Sequence, residues 1–267
     1  MNSTISNLAY VHPEAQIGDN VRIGAFCYID RDVVIGDNCH IHSHVSILAG
    51  ARLGTGNEVF EGSIISAKPQ DFRWKGEDSH VIIGHNNVIR EHVIINRSIH
   101  KGEATKIGDG SFIMAQCHIG HDSVIGNKCV LGNAVKIAGN CIIGNCTILS
   151  SNSLVHENCC VGDWVLVKGG CRVTSNVPPY TIMAHNPIAY YGVNAFVMLK
   201  NGYDENQVNE VAKCYRHLYQ SMTSPFNAMK RIEVDVIDSP EKHAIINFVR
   251  THGYKVAGVP FALEGEE

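Results

Sequence analysis

Residues 107–178 read, in groups of six, IGDGSF IMAQCH IGHDSV IGNKCV LGNAVK IAGNCI IGNCTI LSSNSL VHENCC VGDWVL VKGGCR VTSNVP. The first position is aliphatic and branched in every group, from Ile107 through Leu131 and Leu149 to Val173. The second is often Gly, and the fifth is small or β-branched, as at Ser111, Cys117, Val135, Cys141 and Thr147. No helix has a six-residue period, and an alternating strand has no need of a Gly in each repeat. A hexapeptide repeat marks a parallel β-helix. Each hexad supplies a short strand and a turn, and three hexads, about 18 residues, close one triangular coil.

The register extends outward from this run. Val11, Ile17, Ile23, Ile29 and their successors to Ile65 hold the first position, with Ala15, Cys27 and Cys39 at the fifth. It breaks at SAKPQDFRWKGEDSH, resumes at Ile83, Ile89 and Ile95, and breaks again at NRSIHKGEATK. The breaks predict protruding loops near 68–82 and 97–106, and loops that interrupt a solenoid tend to carry function. A prism over residues 1–180 would hold roughly 25 hexads in about eight coils, about 40 Å tall. Its inward column of Ile, Val, Leu and Cys is the expected main source of stability, at ~1.5–3 kcal/mol per buried side chain.

The repeat ends at NVPPY, because Pro178 and Pro179 cannot continue a ladder. An irregular crossing is expected from Thr181 to Asn201. Asp204 then reads as an N-cap with Gln207 completing a capping box. Val208, Val211, Tyr215, Leu218 and Met222 follow helical spacing. Ser224-Pro225 and Ser239-Pro240 each read as an N-cap with proline at the first helical position. Residues 181–267 are therefore a crossing segment and a small helical domain that caps the prism, with a loose tail at ALEGEE.

The 267 residues are 45% hydrophobic, enough for a sizeable core, and the net charge of −4 with no basic block argues against nucleic acid as a partner. The N-terminus lacks the charged start and apolar run of a signal peptide, and no apolar stretch is long enough for a membrane span. A cytoplasmic protein is expected. Seven of the ten Cys fall on the fifth, inward position, which predicts reduced structural thiols, and the absence of CxxC disfavours a zinc-thiolate site.

For chemistry, Gln116-Cys117-His118-Ile119-Gly120-His121-Asp122 stands out. His121 occupies an outward turn position with Asp122 beside it, the usual composition of an oriented general base. A hydrated polar turn is the competing reading. One coil on from His121 is Gly139, and one more is Glu157, so His121-Asp122, Gly139-Asn140 and His156-Glu157 are expected to stack on one edge. The Gly139 N–H is then a candidate oxyanion donor. No outward Ser or Cys nucleophile stands there, which favours direct transfer over a covalent intermediate. A metal site, with His80 and His85 converging on His118 or His121, is the rival; most of the His are expected in solvent-facing turns, and no metal is assigned.

HIGHD, IAGN, LVHE, GGC and NVPPYTIMAHNP…YYGVN together resemble the acyl-carrier-protein-dependent UDP-N-acetylglucosamine O-acyltransferase family, over nearly the whole chain. The resemblance implies a left-handed parallel β-helix with a helical C-terminal domain, assembled as a homotrimer with sites between subunits. It implies transfer of a (3-hydroxy)acyl chain from acyl carrier protein to the 3-hydroxyl of UDP-N-acetylglucosamine, the first step of lipid A biosynthesis. No cofactor is implied, since the phosphopantetheine of the carrier delivers the acyl chain. By the same resemblance His121 is the base, Asp122 its orienter and Gly139 the oxyanion donor. His118, Asn140, His156 and Glu157 would line the substrates, Asp71 and Arg73 of PQDFR would meet the sugar, and Asn194 and Lys200 would lie near the nucleotide. Gly169 would bound the acyl groove and admit a long chain. Asn140, Glu157, Phe196 and Lys200 stand where this family usually has His, Gln, Glu and an Arg-rich run. Glu157 is expected to add negative charge to the groove, which keeps open a paralogous acyltransferase acting on a different nucleotide (amino) sugar. The N-terminal uridine-binding domain of the related N-acyltransferase is not expected, because hexads start by Val11. A non-catalytic trimeric scaffold is a third reading.

Overall fold

The first and fifth positions of each hexad point inward and make the core. Ile29, Ile41, Ile89, Ile119 and Val155 at the first position are fully buried, as are Val21, Val45, Cys129 and Val135 at the fifth. In the computed structural model, which describes residues 3–258, the hexads build a left-handed parallel β-helix of three faces, followed by helices. The first face runs from Thr4–Ile5 to Leu166–Val167, the second from Tyr10–Val11 to Arg172–Val173, and the third from Gln16–Ile17 to Cys160–Val161. The turn residue at the fourth position takes a left-handed backbone, as at Asn20, Asn38, Asp122, Asn140 and Asn158. That conformation explains the supply of Asn, Asp and Gly there.

Register fixes the site. His118 pairs with Lys136 and Lys136 with Leu154, an offset of 18 residues. Across the first break the offset is 30, at Ile64↔Ile94, and across the second it is 24, at Ile94↔His118. The excesses are whole hexads, so no side chain changes face; a slip of one residue would turn the core outward. Strands resume at His80 and Ala104, so the excursions occupy 68–79 and 97–103. They are tied to each other. Asn96 Nδ2 donates to the Lys68 carbonyl at 2.8 Å, Ser79 Oγ donates to the Ser98 carbonyl at 2.6 Å, and the Arg97 guanidinium lies 5.7 Å over the Trp74 ring.

Three expectations need correction. The repeat begins before Val11, since Thr4–Ile5 already pairs with Arg22–Ile23; at the end of the described stack Ile5 is 43% exposed, so its apolar signal is weak. Pro178 and Pro179 end the hexads but not the ladder, because Thr181–Ala184 pairs in parallel with Leu166–Val167 two residues later. The segment 181–201 is not irregular. Thr181–Ala184 turns back antiparallel as Ala189–Val193, and helix α1 (Ala195–Lys200) follows. Ala189–Val193 hid from pattern reading because it is partly covered along its length and does not alternate.

Helices α2 (Glu205–Tyr219), α3 (Pro225–Asp235) and α4 (Pro240–Thr251) start where the caps placed them. Asp204 and Gln207 form the capping box, and Ser224 and Ser239 cap helices with proline at the N-terminus. Val211, Tyr215, Leu218, Ile232, Ile245 and Val249 form their core. Tyr215 Oη donates to the Pro179 carbonyl, and Tyr190 stacks on Tyr219 with centroids 4.3 Å apart, which ties the helices to the end of the prism. The tail expected at ALEGEE lies outside the described residues. All ten Cys are free thiols, and burial pushes Cys117 and Cys129 up to about 11 and Cys141 to about 12. Among the described residues no helix is long and apolar enough to cross a membrane.

Candidate active site

The corner after His118–Ile119 presents His121 and Asp122 between the second and third faces. His121 is 8% exposed, and its Nδ1 lies 2.8 Å from Asp122 Oδ2. The second excursion holds the carboxylate from the other side: Ser98 Oγ donates to Oδ1, and the Ile99 N–H donates to Oδ2 at 3.3 Å. The Asp122 N–H donates to Thr105 Oγ1 at 2.8 Å. Burial raises the Asp122 pKa, but the hydrogen bonds from Ser98, His121 and Ile99 outweigh it, and the carboxyl stays below its ordinary value. An ionised carboxylate only accepts, so Nδ1 carries a proton.

Gly139 lies one coil above His121. A Cβ at this position would stand 2.4 Å from the Cε1 and Nε2 atoms of the His121 ring. Packing of the imidazole, not a left-handed backbone, therefore demands glycine. The third-position N–H is outside the coil-to-coil ladder, which uses the second, fourth and sixth positions, as in Gly120 N–H to Ile137 O and Asn140 N–H to His121 O, both 2.8 Å, and His118 N–H to Val135 O at 2.9 Å. Among the described residues the Gly139 N–H has no hydrogen-bond acceptor. It is a donor left beside the base.

The first excursion closes the corner from outside. Asp71 Oδ2 lies 3.2 Å from His121 Nε2. Arg73 bridges the Asp71 and Glu157 carboxylates, 2.7 Å from each. The expected free negative charge at Glu157 is thus corrected: the substitution comes with a guanidinium that pairs it. Hydrogen bonds from Arg73 hold the Asp71 carboxyl well below the usual range, and Asp71 and then Glu157 push the Arg73 guanidinium up. Asp71, His121 and Glu157 each bring a ligand atom within 4.8 Å of the others, a spacing suited to a metal, and Arg73 supplies a cation to its two carboxylates.

Two clefts meet at His121 and Glu157. One, of about 490 Å³, runs over the second face and is lined by Asp71, His118, Lys136, Gly139, Leu154 and His156. The other, of about 330 Å³, opens toward the third face past Arg73, Lys106, Asp122 and Asn140. Burial, with Lys136 and then His121 nearby, holds the His118 imidazole below its ordinary value. The structure brings together His121, Asp122, Gly139, Asp71, Arg73, His118, Asn140, His156 and Glu157 around these clefts. It does not bring Gly169, Asn194 or Lys200 into either cleft. Gly169 precedes Arg172–Val173, at the opposite edge of the second face. Asn194 is buried, with Nδ2 donating to the Trp164 carbonyl, and the Lys200 ammonium lies 4.6 Å over the Phe196 ring. The proposed convergence of His80 and His85 does not occur: the described residues form no such cluster, and His85 Nδ1 accepts from the Thr55 N–H at another corner. Sequence reading missed Ser98, Thr105 and Lys136. Lys136 was legible as the residue one coil after His118, whereas Ser98 reaches Asp122 across an inserted loop that no periodicity reports.

With this geometry in hand, the relatives are informative. The chain is 32% identical over 243 residues to the acyl-[acyl-carrier-protein]–UDP-N-acetylglucosamine O-acyltransferase of Myxococcus xanthus, covering 91% of this chain and 94% of that protein. The chain belongs to this family. The protein of the same name from Akkermansia muciniphila is 38% identical over 211 residues, covering 79% of this chain and 82% of the relative. Among solved structures, LpxA from Bacteroides fragilis 9343, a UDP-N-acetylglucosamine acyltransferase, superposes with a TM-score of 0.91 at 42% identity, covering 96% of this chain and all of that one. Residues 176–256 match the family described as Udp N-acetylglucosamine O-acyltransferase, Domain 2. Residues 104–139 match the bacterial transferase hexapeptide (six repeats), and residues 5–102 match the GMPPB C-terminal domain.

Proposed function

We propose that this protein transfers a (3-hydroxy)acyl chain from acyl carrier protein to the 3-hydroxyl of UDP-N-acetylglucosamine, the first step of lipid A biosynthesis. The observation that carries this reading is the Asp122-oriented His121 imidazole beneath the unpaired Gly139 N–H, in a chain of this family. Asp122 fixes the Nδ1–H tautomer, so Nε2 takes the proton of the sugar hydroxyl as its oxygen bonds to the thioester carbonyl carbon. The Gly139 N–H donates to the resulting oxyanion. Collapse breaks the carbon–sulfur bond, and the pantetheine thiolate leaves with the proton from the imidazolium. Asp71, now 3.2 Å from Nε2, exchanges that contact for the incoming sugar while Arg73 holds its carboxylate in place.

The cleft over the second face suits the acyl chain, and the cleft past Lys106 and Arg73 suits the nucleotide sugar. His118 and His156 line the first, Asn140 and Glu157 the second. Because Asn194 and Lys200 lie outside their own chain's clefts, the reading assigns them to the site of a neighbouring copy in a homotrimer. The acyl chain arrives on the carrier's phosphopantetheine, so the reaction calls for no resident cofactor, and the cytoplasm is where both substrates meet. The alternative of a different nucleotide (amino) sugar rested on Asn140, Glu157, Phe196 and Lys200, and the pairing of Glu157 with Arg73 removes the charge argument for it.

The test is a transfer assay with the purified chain, UDP-N-acetylglucosamine and 3-hydroxyacyl carrier proteins of graded length. Turnover with a length optimum is expected, and His121→Ala is expected to lower it by ~10²–10⁴. Full activity in His121→Ala, or turnover only with an amino-sugar nucleotide, overturns the reading.

A further inference from the structure

Far below the active corner, on the first face, His40 and His42 flank the inward Ile41. Residues two apart on a strand share a face, so a His-X-His pair presents both imidazoles outward together. Glu58 on the next coil stands directly opposite His40. Its Oε1 lies 3.6 Å from His40 Nδ1 and 2.9 Å from His42 Nε2. All the donor atoms of this trio fall within 4.8 Å of one another. Ligand atoms about 2.1 Å from a tetrahedral zinc ion are separated by about 3.4 Å, which these spacings approach; the two imidazoles, stacked with centroids 3.9 Å apart, must turn for their lone pairs to converge on one ion.

The surroundings favour the same use. The second nitrogen of His42, Nδ1, lies 3.6 Å from Glu61 Oε1, so a small shift brings the carboxylate into the position that orients metal-bound imidazoles. Phe60 stacks on the His42 ring at 4.1 Å and holds its plane. Arg22 pairs with His40 from the coil below and sets one cation beside the group. Arg90, with its guanidinium 4.6 Å over Phe60, is a further cation facing the group. We infer that His40, His42 and Glu58 form a binding site for one divalent transition-metal ion of borderline softness, zinc foremost, with Glu61 orienting His42. Two imidazoles and one carboxylate suit zinc, nickel or copper over magnesium or calcium. This site is separate from the acyltransfer corner and does not rest on the proposed reaction.

The experiment titrates the full chain, stripped with a chelator, with zinc chloride by calorimetry and with cobalt(II) by visible absorption. One equivalent per chain is expected. His42→Ala and, separately, Glu58→Gln are expected to weaken zinc binding at least tenfold, and Glu61→Gln severalfold, with unchanged circular dichroism. His121→Ala is expected to leave the titration as it is, which excludes Asp71, His121 and Glu157 as the ligands, and His42→Ala is expected to keep transfer activity. The proposal fails if no saturable binding occurs at about 0.1 mM zinc, if His42→Ala and Glu58→Gln titrate like the parent, or if His121→Ala abolishes the binding instead.

Discussion

Two corners of the same prism treat the same position in opposite ways. At the corner between the third and first faces, the third position carries Asp109, Asn127, Asn145 and Asp163 on successive coils. Each side chain accepts the backbone N–H of the coil below: Asp109 N–H to Asn127 Oδ1 and Asn127 N–H to Asn145 Oδ1, both 2.8 Å, and Asn145 N–H to Asp163 Oδ1 at 2.5 Å. At the corner between the second and third faces the column reads His121, Gly139, Glu157. No side chain accepts the Gly139 N–H, because Glu157 is turned to Arg73. The first corner uses its polar groups for stability. The second leaves the Gly139 N–H unpaired beside the His121 base at a cleft, as a site that must bind a transition state requires.

That contrast can be broken or sharpened in several ways. Gly139→Ala has the largest expected effect after loss of the base itself. Its Cβ meets the His121 ring at 2.4 Å and displaces the imidazole while the backbone N–H remains, so kcat is expected to fall by ~10², the loss that a small misplacement of a catalytic group brings. Steady-state kinetics showing near-normal kcat would mean that the imidazole is not held where the structure has it. Ser98→Ala comes next. It removes a donor to Asp122, so a loss of about tenfold in kcat is expected, with the pH profile displaced; Ser98→Thr should restore both. An effect confined to stability would make Ser98 only a loop tie.

Asn145→Ala tests the other corner. It leaves the Asn127 N–H without its acceptor, for a stability loss of about 1 kcal/mol read by urea unfolding, with transfer kinetics unchanged. The smallest effect is on acid stability. His118 and Asp122 are both held below their ordinary values of 6.5 and 3.8. Folding therefore releases protons from each, and their stabilisation is full above the unfolded pKa and lost as pH falls. Unfolding free energy should decline as pH falls below about 6.5, through His118 together with His40 and His252, which are lowered likewise, and then, below about pH 4, through Asp122. His118→Phe should lessen the upper part of that decline; a profile identical to the parent's would show that His118 does not titrate with folding.

The glycine at the second position, the branched first position and the small fifth position made the prism legible, because each residue there is dictated by its immediate neighbours one coil away. Caps at Asp204, Ser224 and Ser239 were legible for the same reason, since an N-cap acts within three residues. The vertical stack of His121, Gly139 and Glu157 followed from the coil period alone. The strand Ala189–Val193 and helix α1 were not legible, since the surfaces that cover them come from distant sequence.

What the sequence determined by itself was everything set by a fixed period: faces, inward column, and which residues share a corner. What only the tertiary structure decided was how the two excursions land. Ser98 on Asp122, and Arg73 across Asp71 and Glu157, join residues 24 and 84 positions apart. The path of an inserted loop is fixed by the surface it settles on, not by any repeat within it. The pairing of the Glu157 charge, and with it the character of the site, was settled there.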